Sequence, residues 1–127
     1  MAPPHPLPDR LVELVARRFR VIGEPMRIRL LDHLRGGEQS VGELVAVLAS
    51  TQQNISKHLG VLYDAGVVNR RKDGNRVVYA IADPTVFTLC EIVCDGLARR
   101  TAELTELLHA PAEQFERYAA REHTTAR

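Results

Sequence analysis

Apolar residues recur at helical spacing between Asp9 and Ile22, where Leu11, Leu14, Val15, Phe19 and Ile22 form one stripe and Asp9 is placed to cap its start. Gly23 breaks that helix. Pro25 suits the first position of the next one, whose Met26, Ile28, Leu30, Leu31 and Leu34 run to a stop at Gly36-Gly37. Ser40 precedes Val41 with Glu43 three residues on, the spacing of a capping box, and Leu44, Val47 and Leu48 supply a buried stripe for a third helix. Thr51 is the next capping candidate. The helix after it carries Ile55, Leu59 and Leu62 on one face, keeps Gln53, Asn54, Ser56, Lys57 and His58 largely off it, and ends at Gly66. The period then changes. Val67-Val68 and the run Val77, Val78, Tyr79 and Ile81 are β-branched or aromatic, and they flank Lys72-Asp73-Gly74-Asn75, whose Asp-Gly step is a hairpin signal. After Asp83-Pro84 a helix of about 25 residues is expected to run to about His109, with Val86, Cys90, Val93, Cys94, Leu97, Leu104, Leu107 and Leu108 as its stripe. Pro111 ends it, and Glu113 to Arg121 reads as a last, weakly packed helix or tail.

This order of elements predicts a mainly α fold with a small β-hairpin, the winged helix-turn-helix architecture, in which a short helix, the turn Ala49-Ser50-Thr51 and a second helix follow in succession. The expected layout is a disordered arm over residues 1–8, a DNA-binding and dimerisation domain over 9–110, and a C-terminal helix or tail over 111–127. In a helix-turn-helix the second helix lies in the major groove with its N-terminal side chains toward the bases. Glutamine and asparagine can pair bidentately with adenine, serine can serve either edge, and lysine and histidine can reach phosphate or guanine. Thr51, Gln52, Gln53, Asn54, Ser56, Lys57 and His58 are therefore the candidate contacts on the helix. Arg70, Arg71, Lys72, Asn75 and Arg76 on the hairpin would meet the backbone or the neighbouring minor groove as a wing. Taken singly, a polar helix face is usually solvated and a basic hairpin is often an ordinary turn. Their succession is what points to double-stranded DNA.

Composition adds bounds. A chain of 127 residues suits one domain, no apolar run approaches the ~20 residues of a membrane helix, and the N-terminal MAPPHPLPDR has neither the basic start nor the apolar stretch of a secretory signal. A cytoplasmic protein is expected. Net charge is only +1, but its distribution is uneven: six arginines lie between Arg17 and Arg35, whereas eight carboxylates occur from Asp83 to Glu122. One face for a polyanion and another for a different partner would account for that division. No nucleophile paired with a base, glycine-rich phosphate loop or dense carboxylate cluster suggests an enzyme.

The stretches RFRVIGEPMRIRLLDHL, VGELVAVL and TQQNISKHLGVLYDAGVVNRRKDGNRVVYAI resemble the arsenic-repressor (ArsR/SmtB-type) family of winged helix-turn-helix transcriptional regulators. The resemblance covers roughly Arg17 to Leu108, and its most specific part is S-K-H-L-x-V-L-x-x-A-G-x-V followed by a basic hairpin and Y-x-I. It implies a homodimer formed through a helix at each end of the domain, and repression of an operator that an inducer relieves. Dimerisation also follows from the long amphipathic helix, which a domain this small cannot cover alone.

The resemblance does not carry over a metal site. Val41-Gly42-Glu43-Leu44 has no cysteine where one soft-metal site of the family lies, Thr85 stands where a histidine of another would follow Asp83, and the recognition helix has no cysteine either. What remains is Cys90 and Cys94, four apart and so on one helical face. Two readings stand for them. Two thiolates at that spacing can share one soft ion such as Zn(II), Cu(I) or As(III), or react in turn with an oxidant or persulfide, with His109 as a candidate third ligand. Equally, both can pack in a dimer seam as small hydrophobes. His5, His33 and His123 read as surface residues. Two further readings stay open for the whole chain: a winged-helix module that binds protein instead of DNA, and a repressor of this family with no metal or redox inducer.

Overall fold

In a computed structural model, which describes residues 1–100 and 106–109, the chain divides into two compact units, Met1–Asp83 and Pro84–Arg127. The first unit runs α1 (Asp9–Ile22), α2 (Pro25–Leu34), β1 (Gln39–Ser40), α3 (Val41–Leu48), α4 (Gln52–Asp64), β2 (Val68–Asp73) and β3 (Arg76–Ile81). The second contains α5 (Thr85–Ala98). Residues 1–8 are exposed and carry neither helix nor strand.

Local sequence chemistry sets most of these boundaries. Glu24 caps α2 by accepting the Arg27 backbone N–H at 2.9 Å, with Pro25 at the first position, where a missing N–H costs nothing. Ser40 Oγ accepts the Glu43 N–H at 3.1 Å and donates to the Glu43 carboxylate at 3.0 Å, so the expected capping pair forms. α4 closes on the glycine-dependent arrangement of a Schellman end. Gly66, at φ +76°, donates to Tyr63 O at 3.0 Å, and Val67 N donates to Leu62 O at 2.9 Å. At α1 the cap differs from expectation: Pro8 occupies that position with no side-chain cap, and Asp9 sits inside the first turn, where its carboxylate still faces the positive end of the helix.

β2 and β3 form the expected hairpin, with Asp73 opposite Arg76 and Gly74, at φ +64°, taking the first place in a two-residue loop. The two-residue β1 has no signal of its own in the sequence. It adds to the free edge of β3, Gln39 opposite Tyr79 and Ser40 opposite Val78, giving an antiparallel sheet in the order β1-β3-β2. Leu30, Leu31 and Leu34 of α2, Leu44 of α3, Ile55, Leu59 and Leu62 of α4, and Val67, Val68, Val78 and Tyr79 make the core of this unit. Burial of such side chains contributes about 1.5–3 kcal/mol each.

α1 behaves otherwise. Its stripe was expected to be core, yet only Ile22 is buried, Leu11 is half-buried, and Leu14, Val15 and Phe19 are exposed, Phe19 by 54 %. Periodicity is realised, but within one chain that face has little cover.

α5 is shorter than expected. It ends at Ala98, where Arg99 N donates to Asp95 O and Arg100 N to Leu97 O, a tightening last turn that closes the helix. Residues 106–108 are helical again. Leu104, within the expected helix, the tail from Glu113 to Arg121, and His123 lie outside the described residues. Among the described residues no helix is long and apolar enough to cross a membrane.

Candidate nucleic-acid interface

The turn joining α3 to α4 decides where α4 points. Ala49 takes the left-handed conformation, φ 49° and ψ 45°, Thr51 Oγ1 accepts the Asn54 N–H at 3.1 Å, and the Asn54 amide donates to Ser50 Oγ at 3.0 Å. The first turn of α4 is thereby stitched to the residues before it. Ile55, Leu59 and Leu62 are fully buried behind it, which fixes the rotation of the helix about its axis. Gln52, Gln53, Ser56 and Lys57 then face solvent.

Two residues predicted for this face lie elsewhere. Asn54 is half-buried and its amide is engaged by Ser50. His58 is only 8 % exposed and turns inward, its Nδ1 3.1 Å from Arg27 Nη1 and 3.6 Å from the Glu24 carboxylate. The reason is spacing: His58 stands three residues after Ile55 and four before Leu62, so it shares the core face of α4.

The hairpin stands beside this helix. Its register places Arg70 opposite Tyr79 and Lys72 opposite Val77. The Arg70 guanidinium lies 4.0 Å from the centre of the Tyr63 ring, a cation–π arrangement that joins α4 to the wing. Hydrogen bonding to Tyr79, with smaller help from Tyr63, holds Arg70 more firmly protonated than an ordinary arginine. Arg71 makes a two-pronged contact with Glu38, Nη2 to Oε1 at 2.5 Å and Nε to Oε2 at 3.2 Å. That hydrogen bonding holds the Glu38 carboxyl below the usual carboxylate range. Arg76 reaches Glu43 at 3.5 Å and Asp73 at 3.8 Å. All these groups are about half exposed, so the pairs orient the wing more than they stabilise it.

Between α4 and the wing lies a cleft of about 770 Å³. Gln52, Ser56 and Tyr63 line one side, Arg70, Arg71, Lys72, Asn75 and Arg76 the other, and Val41, Gly42 and Val45 of α3 its back. Hydrogen-bonding groups and cations therefore converge on one surface, as reading bases beside a phosphate backbone requires. Gln53 and Lys57 extend this surface along α4 without lining the cleft.

Sequence reasoning missed Tyr63, Tyr79, Glu38 and Glu43. Tyr63 had a signal, because Gln52, Ser56 and Tyr63 are spaced i, i+4, i+11 and so share a side of α4. Glu38 had none, being 33 residues from Arg71.

In the second unit, Cys90 is half-buried and Cys94 exposed, neither in a disulfide, and Ile92 and Val93 nearby are 61 % and 50 % exposed. Among the described residues no group of three or more His, Cys, Asp or Glu side chains is arranged to hold a metal ion, and the exposed His109 is not gathered with the two cysteines.

Comparison with known proteins is consistent with this surface. Residues 22–71 match a family model described as a helix-turn-helix domain. The chain is 38 % identical over 101 residues to the HTH-type transcriptional regulator Rv0081 of Mycobacterium tuberculosis, covering 79 % of this chain and 89 % of that one. The crystal structure of Rv0081 superposes with a TM-score of 0.65 at 40 % identity, over 72 % of this chain and 93 % of the other. A probable mercury resistance operon repressor of Streptomyces lividans is 32 % identical over 105 residues, covering 83 % of this chain and 84 % of that relative. The homodimeric winged helix-turn-helix DNA-binding domain of Mb0332 from Mycobacterium bovis matches with a TM-score of 0.63 at 28 % identity, over 75 % of this chain and 91 % of that one.

Proposed function

The chain belongs to the arsenic-repressor (ArsR/SmtB) family of winged helix-turn-helix, DNA-binding transcriptional repressors, which are regulators and not enzymes, and we propose that two copies of it hold a palindromic operator in the cytoplasm until an inducer releases them. The observation that carries this reading is the convergence of exposed Gln52 and Ser56 with the cationic wing on one cleft, with exposed Gln53 and Lys57 beside them on α4 and Ile55, Leu59 and Leu62 buried behind. Gln52, Gln53 and Ser56 address base edges in the major groove, Lys57 reaches guanine or phosphate, and Arg70, Lys72 and Asn75 meet the flanking backbone or minor groove. Arg71 and Arg76 join them by exchanging Glu38 and Glu43 for phosphate.

The paired state is supported by apolar surface that one chain leaves open. Val12, Leu14, Val15 and Phe19 on α1, and Ile92 and Val93 on α5, are exposed large hydrophobics. A second copy related by a two-fold axis would cover them, and the match to a homodimeric domain agrees with that arrangement. DNA binding and dimerisation together then occupy residues 9–110, and the two recognition helices address half-sites about 34–36 Å apart, one turn of DNA.

We assign the inducer response to Cys90 and Cys94. The exposed Cys94 is open to peroxide, a persulfide donor or a soft ion, with Cys90 one helical turn away on the same face, and a disulfide between the two would strain the intact helix. For Zn(II), which takes four nitrogen or sulfur ligands, two cysteines of one chain are an incomplete set, so a zinc site would need those of the partner. Thiol oxidation, persulfidation or a two-coordinate soft ion needs no further residue.

Both halves of the proposal are open to one series of measurements. The wild-type protein should select a palindromic duplex from a random-sequence library, and Gln53→Ala with Lys57→Ala should weaken that complex. Unchanged binding would favour a protein-binding module instead. Cys90→Ser with Cys94→Ser should still bind the duplex but no longer release it on exposure to soft metals, peroxide or persulfide. Release by the same agents at wild-type concentrations would remove the cysteines from the mechanism.

A further inference from the structure

Beyond its last i→i+4 bond, Gly23 N to Phe19 O at 2.7 Å, α1 leaves the carbonyls of Arg20, Val21 and Ile22 without a helical partner, and each finds another. Ile22 O accepts from Glu24 N at 2.8 Å. The other two are taken by one side chain: Arg27 Nη2 donates to Arg20 O at 3.1 Å, and Arg27 Nε donates to Val21 O. Its remaining prong, Nη1, lies 3.1 Å from Nδ1 of the buried His58 on α4. A guanidinium can only donate, so in this contact Nδ1 accepts. Glu24 completes the cluster by capping Arg27 N at 2.9 Å and standing 3.6 Å from the same His58 nitrogen.

We propose that Arg27 is the positioning residue of the recognition helix, its fork setting the middle of α4 at a fixed distance and rotation from the C-terminal end of α1. This rests on the reading of α4 as the DNA-reading helix. His58 is the neighbour of Lys57 in sequence and one turn beyond Asn54, so an anchor on its ring governs the segment whose opposite face carries Gln53 and Lys57. The planar, always-charged fork suits the task, because it can serve several acceptors in fixed geometry where an ammonium would act as a single point. α1 is also the helix with the uncovered apolar face. With a second copy seated there, the same fork refers each recognition helix to the dimer axis and so fixes the separation of the two.

The test uses the full-length protein and the duplex that wild type selects from a random library, titrated well below each variant's melting temperature and at several salt concentrations. Arg27→Gln and His58→Ala should each weaken binding about tenfold, and the double variant should be no weaker than the poorer single one, since both changes break one connection. His58→Gln, which restores an acceptor, should recover most of the loss. The slope of affinity against salt should stay at the wild-type value, because no phosphate contact is removed. A Leu34→Val control in the core of α2 should lower the melting temperature while leaving affinity unchanged. Wild-type affinity in folded Arg27→Gln, losses that multiply in the double variant, or a slope reduced by about 0.9, the mark of a direct phosphate contact, would each overturn the assignment. A wild-type protein that selects no duplex defeats the DNA reading itself, a result separate from any difference among variants.

Discussion

Replacing Ala49 with glycine should stabilise this protein, although most substitutions do the opposite. Ala49 is the non-glycine residue among those described with a positive φ, 49° with ψ 45°, at the joint between α3 and α4. Holding an L-residue there costs roughly 1–2 kcal/mol, because Cβ crowds the following carbonyl. Glycine removes that cost and adds about 0.4–1 kcal/mol of extra entropy to the unfolded chain. The difference leaves about 0.5–1 kcal/mol in favour of Ala49→Gly, or a rise of about 2–8 °C in melting temperature for a domain of this size. Thermal unfolding followed by circular dichroism, at one fixed protomer concentration, measures it. Ala46→Gly, three residues earlier and exposed within α3, supplies the opposite sign, since there glycine should destabilise by about 1 kcal/mol. If Ala49→Gly lowers the melting temperature as Ala46→Gly does, the left-handed joint is not a source of strain and its aim of α4 must be explained otherwise.

Further outcomes follow from the wing, the core and α1. Glu38→Gln should tighten binding to the selected duplex with its salt slope unchanged, because Arg71 no longer has to leave Glu38 to reach phosphate, whereas Arg71→Gln should lower the slope by about 0.9, and an unchanged slope in Arg71→Gln would show that Arg71 stays off the DNA. Glu38 also gives a pH signature: Arg71 holds its carboxyl below the ordinary 4.5, so its share of stability is complete above that value and is lost as pH falls through the lower folded one. The melting temperature of Glu38→Gln should accordingly fall less on acidification than that of wild type, and parallel curves would contradict this. Leu59→Ala, at a fully buried position, should cost about 2–5 kcal/mol in urea denaturation, whereas a loss below about 1 kcal/mol would place Leu59 outside the core. Phe19→Glu should sediment as a folded monomer with weakened operator affinity, and a dimer of normal affinity would move the interface away from α1.

The caps at Ser40 and Thr51, the glycine end of α4 and the Asp73-Gly74 turn were legible because each depends on residues within a few positions of one another. β1 was not. Gln39 and Ser40 have no periodicity of their own and become a strand only by meeting Tyr79 and Val78 across the sheet. The DNA face was legible in its residue types and less so in its orientation. By its chemistry His58 groups with Gln53 and Lys57, whereas three-residue spacing from Ile55 puts it among the core side chains, where Arg27 receives it. On α1 the pattern gave the apolar face correctly but not what covers it. Periodicity marks a surface for burial without saying whether the same chain supplies the other side.

In the proposed complex the Gln53–Lys57 face of α4 and the neighbouring wing meet DNA directly. Titrating the selected duplex into uniformly ¹⁵N-labelled wild-type protein tests it without altering any residue. The amides of residues 51–57 and 70–76 should shift and saturate together, with those around Val12 to Phe19 little changed. Saturable shifts confined to α1 or α5, with α4 and the wing unmoved, would contradict it.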